Sequence, residues 1–217
     1  NTSTTRRVRA WDLAFSQPSE ARPSVDATAG VLMSKDPKTS VYTVEDVVVI
    51  RKRVHEVESK IFETAKQDGK DVIVSLPLDP GATAGAYCKD LARRLAEMGY
   101  TAKLVRPEKG KLQRFLPFAS TAEAGFVTVV NSSWTEHYIN ELEQTEFNNK
   151  THDDQCDATS DAFYVLNKYQ AMPDMSPATF STDFNSQTSG FSQTFSQLNP
   201  NSNQTVMPSY SFPSFLK

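Results

Sequence analysis

Apolar residues surround one acid over residues 7–15, residues 27–34 are small or apolar for most of their length, β-branched residues dominate 41–50, and the pattern then changes period. The first three stretches predict strands. Their connections are too short for crossover helices, so the three form an antiparallel meander. From residue 54 the apolar positions take helical spacing: Val54, Val57, Ile61, Phe62 and Ala65 share one face, and Gly69 supplies a stop. Residues 71–78 are apolar at five of eight positions and predict a strand covered on both faces. A helix over 82–98 stopped by Gly99, a strand over 101–105 and a helix over 111–124 with Phe115, Phe118 and Ala122 on one side follow. A short strand over 126–130 precedes a helix over 133–147, with Ser133 as candidate cap and Trp134, Tyr138, Ile139 and Leu142 as its apolar face. The last helix covers 153–169. This order predicts an α/β fold: a mixed sheet of an antiparallel three-strand meander plus parallel strands, flanked by helices on both faces.

Beyond residue 171 the composition turns to Ser, Asn, Gln, Thr and Pro with single aromatics, and no charge falls between Asp183 and Lys217. Such a stretch cannot offset its ordering entropy by packing alone. The expected organisation is one domain over residues 1–170 and a tail over 171–217 that is largely flexible or docked on the domain. The formal net charge of -3 gives no global affinity for nucleic acid, so DNA contact needs a local basic face. Cys88 and Cys156 make no disulfide framework and suit a reducing compartment. No apolar run approaches the roughly 20 residues of a membrane span, and no signal peptide is recognised. The sequence opens on Asn1 rather than Met, as a processed product or a fragment would.

Three acidic places stand out. Asp12 lies among apolar neighbours in the first strand, where a buried carboxylate is costly unless paired, protonated or metal-bound. Asp79, followed by Pro80 and Gly81, closes the fourth strand, at the carboxyl end where ligands gather in α/β sheets. His152-Asp153-Asp154-Gln155-Cys156-Asp157 opens the last helix, and Asp157 shares a face with Asp153 or Asp154. Asp153 and Asp154 also suit a helix N-terminus, and His152 either orients a water or caps the helix.

Hard oxygen donors select Mg²⁺ or Mn²⁺ over zinc. Two ions about 3.5–4 Å apart would clamp a scissile phosphate. The candidate ligands and catalytic residues are Asp12, Asp79, Asp154 and Asp157, with Asp153 and His152 as auxiliaries. Arg106, Lys109, Lys111 and Arg114 are the best candidates for phosphate contacts. Arg51-Lys52-Arg53 and Arg93-Arg94 are further basic groups. No Walker A pattern is present, which excludes P-loop ATP hydrolysis by this chain.

An ordered set of motifs resembles the C-terminal nuclease domain of tailed-bacteriophage terminase large subunits. The pieces are Arg9-Ala10-Trp11-Asp12-Leu13-Ala14, Asp26-Ala27-Thr28-Ala29-Gly30, Asp79-Pro80-Gly81, residues 111–125, and His152 through Ala158. The resemblance covers residues 7–165 and implies an RNase H-like fold. It implies two-metal phosphodiester hydrolysis and the cutting of concatemeric double-stranded viral DNA during genome packaging. The family's catalytic acids map onto Asp12, Asp79 and the Asp154/Asp157 pair. Many relatives carry Glu shortly before Asp-Pro-Gly, where this chain has Pro77 and Leu78. Implied partners are double-stranded DNA and, in a full-length protein, an N-terminal packaging ATPase, a small terminase subunit and a portal. The implied location is the host cytoplasm during virion assembly. A junction resolvase or RNase H-type nuclease shares the same acids. A non-catalytic docking module of a packaging motor is the reading from a different class.

Overall fold

The computed structural model describes residues 5–14, 27–78, 82–106, 108–145, 152–168 and 204–206. Its elements are β1 (Arg6–Asp12), β2 (Thr28–Lys35), β3 (Tyr42–Ile50), α1 (Val54–Asp68), β4 (Val72–Pro77), α2 (Ala82–Glu97), β5 (Thr101–Val105), α3 (Lys111–Glu123), β6 (Val127–Val130), α4 (Thr135–Gln144), α5 (Asp154–Lys168) and β7 (Gln204–Val206). The strands form one sheet in the order β5-β4-β1-β2-β3-β6-β7. β1, β2 and β3 pair antiparallel. β4 runs parallel to β1, β5 to β4, and β6 to β3. This is the mixed sheet that the pattern predicts, in an RNase H-like arrangement.

Strand alternation divides the interior into two cores. Val8 and Ala10 face a cluster with Ala29, Val31, Phe118, Cys156, Ala158 and Ala162, under α3 and α5. Trp11 and Leu13 face the other way, with Val57, Ile61, Leu91 and Leu95 of α1 and α2. Asp12 follows Ala10 by two positions and so belongs to the α5 side. α5 carries Ala158 and Ala162 against the sheet, small enough to bring the helix close to β1 and β2.

The Trp11 side is held by two local features. Trp11 pairs with Gly30 in the β1–β2 register. A Cβ at Gly30 would come within 2.6 Å of the Trp11 ring, so only glycine lets the indole lie flat on β2. Arg9, 1% exposed, lies on the same face. It donates to Asp68 at the end of α1 at 2.8 and 2.9 Å and to Asp46 of β3 at 2.7 Å. Arg7 adds an ion pair to Glu45 at 2.6 Å. Both cysteines are buried and neither is in a disulfide.

Several boundaries differ from expectation. β1 ends at Asp12, because β2 pairing stops there, although the apolar run continues to Phe15. Ser133 does not cap α4. The cap residue is Trp134, and the hydroxyl of Thr135 accepts from the Ser132 N–H instead. Within the compositional tail, Gln204–Val206 pairs antiparallel with β6 as an edge strand. No helix among the described residues is long and apolar enough to cross a membrane.

Candidate functional site

The site lies at the carboxyl end of β1, where α5 begins. β1 delivers Asp12 as its last residue, and the parallel neighbour β4 ends at Pro77 beside it. α5 starts over this end of the sheet, so its first-turn acids, Asp154 and Asp157, approach Asp12. The Asp12 carboxyl is pushed well above the usual range. Burial is the main cause, and the nearby charges of Asp157, Asp154 and Asp161 add to it, while Lys111 opposes it. The strand acid and the helix acids therefore share one electrostatic environment.

The α5 acids divide by face. Asp153, Asp157 and Asp161 are spaced four apart and form a ladder toward α3. Two cations one turn apart on α3 interleave with them. Lys111 Nζ lies 2.7 Å from Asp153 and 2.9 Å from Asp157. Arg114 reaches Asp157 at 2.6 Å and Asp161 at 2.9 Å. Burial works against the Lys111 ammonium, but the hydrogen bonds to Asp153 and Asp157 outweigh it and raise its pKa. Asp161 is pushed up to about 6 by burial and by Asp157, against the pull of Arg114.

Asp154 sits off this ladder. Its Oδ2 accepts the backbone N–H of Ala27 at 2.9 Å, just before β2, and lies 4.0 Å from His152 Nδ1. That N–H fixes the carboxylate and ties α5 to the sheet. Beneath it, Gln155 is 1% exposed and donates its backbone N–H to Glu141 of α4 at 2.7 Å. The start of α5 is thus anchored on three sides, by β2, α3 and α4.

Of the sequence-derived candidates, the structure brings Asp12, Asp153, Asp154, Asp157, Lys111 and Arg114 together, with His152 at the exposed edge. Asp79 lies outside the described residues. Arg106 and Lys109 line a cavity between α3 and α5 together with Arg114 and Asp161. Lys111 and Arg114, expected to contact phosphate, spend their charges on the α5 acids. Arg93 and Arg94 lie on α2 and pair with Asp90, Glu97 and Glu58. Sequence reading missed Asp161; its signal was the spacing of four from Asp157.

Among the described residues, five carboxylates (Asp12, Asp153, Asp154, Asp157 and Asp161) gather here with the cations Lys111 and Arg114. Among the described residues, however, no group of three or more His, Cys, Asp or Glu is set to hold a metal ion. Asp157, the acid nearest in effect to Asp12, is already bound by Lys111 and Arg114.

Comparison with known proteins agrees with this frame. Among solved structures, the P22 large terminase nuclease domain superposes with a TM-score of 0.55 at 16% identity, over 76% of this chain and 82% of that one. The human cytomegalovirus terminase nuclease domain gives a TM-score of 0.53 at 11% identity, over 75% and 82%. The fowlpox virus Holliday junction resolvase gives 0.48 at 7% identity, over 75% and 98%. For the two terminase nuclease domains the likeness, at these identities, is one of fold. No curated protein matches the chain in sequence. The family model described as the terminase RNaseH-like domain matches residues 9–165, from the buried Arg9 to the last turns of α5, and the chain belongs to that family.

Proposed function

We propose that this chain is a divalent-metal-dependent endonuclease that cuts concatemeric double-stranded viral DNA during genome packaging, as the nuclease domain of a terminase large subunit. The observation that carries the reading is Asp12, a desolvated carboxylate at the carboxyl end of β1, coupled to Asp157 and Asp154 of α5. Carboxylates crowded beyond the available cations call for a further positive charge. Their donors are hard oxygens, which fits Mg²⁺ or Mn²⁺. Asp12 and Asp154 are the first ligands in this reading, Asp79 completes the set, and Asp157 joins when Lys111 and Arg114 release it. Bound there, two such ions would supply Lewis-acid polarisation of a phosphate and an acidified water.

The chain's own residues do the positioning. The Ala27 N–H holds Asp154 in one orientation. Lys111 and Arg114 neutralise the outer acids and lock α3 against α5. Arg106 and Lys109 are left to meet the DNA backbone. In a full-length protein, a packaging ATPase would hold DNA near the site, and a small terminase subunit and a portal would complete the motor.

A second reading has an observation of its own. Lys111 and Arg114 already serve as counter-cations for Asp153 and Asp157, as a non-catalytic docking module would require. Cleavage of supercoiled plasmid separates the readings. The nuclease nicks and linearises plasmid with Mn²⁺ or Mg²⁺, fails in EDTA, and loses activity in Asp12→Asn, Asp79→Asn and Asp154→Asn. Preference for branched over plain duplex DNA would make it a resolvase instead. Full activity in Asp12→Asn would reject the assignment.

A further inference from the structure

A cavity of about 370 Å³ opens between α3, α5 and the end of β5. The proposed function uses three of its lining residues, Arg106, Lys109 and Arg114, but assigns no ligand to the space itself. We propose that it receives one unpaired nucleotide of the bound DNA strand, base inward and phosphate at the rim; this deepens the nuclease reading and rests on it.

The first argument is position. Arg114 and Asp161 line the cavity, and the same Arg114 holds Asp157 beside Asp12. Asp161 lies four residues beyond Asp157, about 6 Å along α5. The cavity thus begins one or two nucleotide steps from the acids, at about 3.4 Å of rise per step along a strand.

The second argument is chemistry. Val105, Pro117 and Phe163 give an apolar lining, and Tyr164, 39% exposed, adds an aromatic ring that Lys168 Nζ covers from one side at 5.1 Å from the centroid. Base–aromatic stacking suits every base because each presents a π-face. Most of the other lining residues are polar or charged, and of these Ser160 and Asn167 are already committed, Ser160 to the Cys156 carbonyl and Asn167 to Lys35, Tyr42 and the Phe163 carbonyl. Pro117 also lacks the N–H that would bond the Gln113 carbonyl in α3, and both residues line the cavity. Arg106 and Lys109 stand against Glu108 at the same cavity, a basic balance that complements a phosphate. The volume lies at the small end of ligand sites, which span about 300–1,000 Å³. It suits a base with its sugar and excludes a dinucleotide cofactor.

The test uses fluorescence anisotropy in EDTA with a labelled short oligodeoxythymidylate and a labelled blunt duplex. Gln113→Trp, at an exposed α3 position, fills the mouth without touching either core. Tyr164→Ala removes the aromatic ring. Each variant is expected to weaken single-strand binding by at least about fivefold, with less than about a twofold change for the duplex. Unlabelled dTMP should compete in the wild type and not in Gln113→Trp. Single-strand affinity equal in all three proteins would overturn the proposal and leave the cavity to an apolar protein side chain. A plasmid-cleavage assay on the same preparations keeps the two ideas apart. Cavity-dependent binding without cleavage removes the nuclease reading and keeps the subsite. Cleavage with cavity-independent binding does the reverse.

Discussion

Arg114 Nη2 lies 2.6 Å from Asp157 Oδ1, and the same guanidinium reaches Asp161 one turn further along α5. One side chain from α3 thus fixes two acids of α5, beside the place where Asp12 ends β1. Arg114 is mostly buried, 18% exposed, and its loss takes from Asp161 its ion pair and leaves Asp157 with Lys111. Arg114→Ala should cost about 3 kcal/mol in metal-free urea denaturation. The same change uncovers an oxygen of Asp157, so Mn²⁺ should raise the melting temperature more in the variant than in the wild type. An equal metal-induced shift would show that the guanidinium and the ion do not compete for Asp157.

Asp161 gives a pH signature. Burial pushes its carboxyl up to about 6 from an ordinary value near 3.8. The folded chain therefore keeps a proton that the unfolded chain gives up between these values. Its stabilising contribution is complete below pH 4 and is lost as pH rises through 6, a change of up to about 3 kcal/mol. Asp12 shifts in the same direction. Asp161→Asn cannot ionise and should show a shallower fall from pH 4 to 7. Denaturation at several pH values in EDTA measures the difference; parallel profiles would contradict the assignment.

Arg9 tests the scaffold rather than the chemistry. It is buried and bonded to Asp46 and Asp68 on the face of β1 opposite Asp12. Removing one member of a buried charge network costs about 3–5 kcal/mol. Arg9→Ala should lose about that much stability, read by chemical denaturation. A change under about 1 kcal/mol would mean that Asp46 and Asp68 are satisfied without it.

Gly30→Ala probes the close approach of β2 to Trp11. The new methyl would press on an indole that is 1% exposed and has nowhere to move. Such overpacking typically costs about 1–3 kcal/mol. The double variant Trp11→Phe with Gly30→Ala should recover part of the loss if the ring is the cause.

Much of this architecture can be read directly from residue spacing. α1 and β5 have the bounds predicted, because the apolar period and the glycines Gly69 and Gly99 mark them locally. The overrun of β1 has a physical reason: Leu13 is buried in the second core without pairing, so hydrophobicity there does not mean strand. β7 carries no local signal, since three residues pair on an edge far from their partner in sequence. At the site, the nearness of Asp12, Asp154 and Asp157 is what the motif resemblance implies. The clasp of Lys111 and Arg114 does not follow from it, because it joins residues 42 to 47 positions apart across two helices. A cation on a helix looks the same in sequence whether it awaits a phosphate or already holds a carboxylate. Asp161 was within reach of the spacing argument, as the third rung of a ladder whose first two rungs were recognised.

Mn²⁺ titration by calorimetry, comparing the wild type with Asp12→Asn, tests the acid pocket most directly. The wild type should bind Mn²⁺, and Asp12→Asn should bind it at least about tenfold more weakly while melting no lower in EDTA, since the variant removes an unfavourable buried charge. Equal Mn²⁺ affinity in the two proteins, or no binding by either, would contradict the central claim that Asp12 and the α5 acids together hold the catalytic cations.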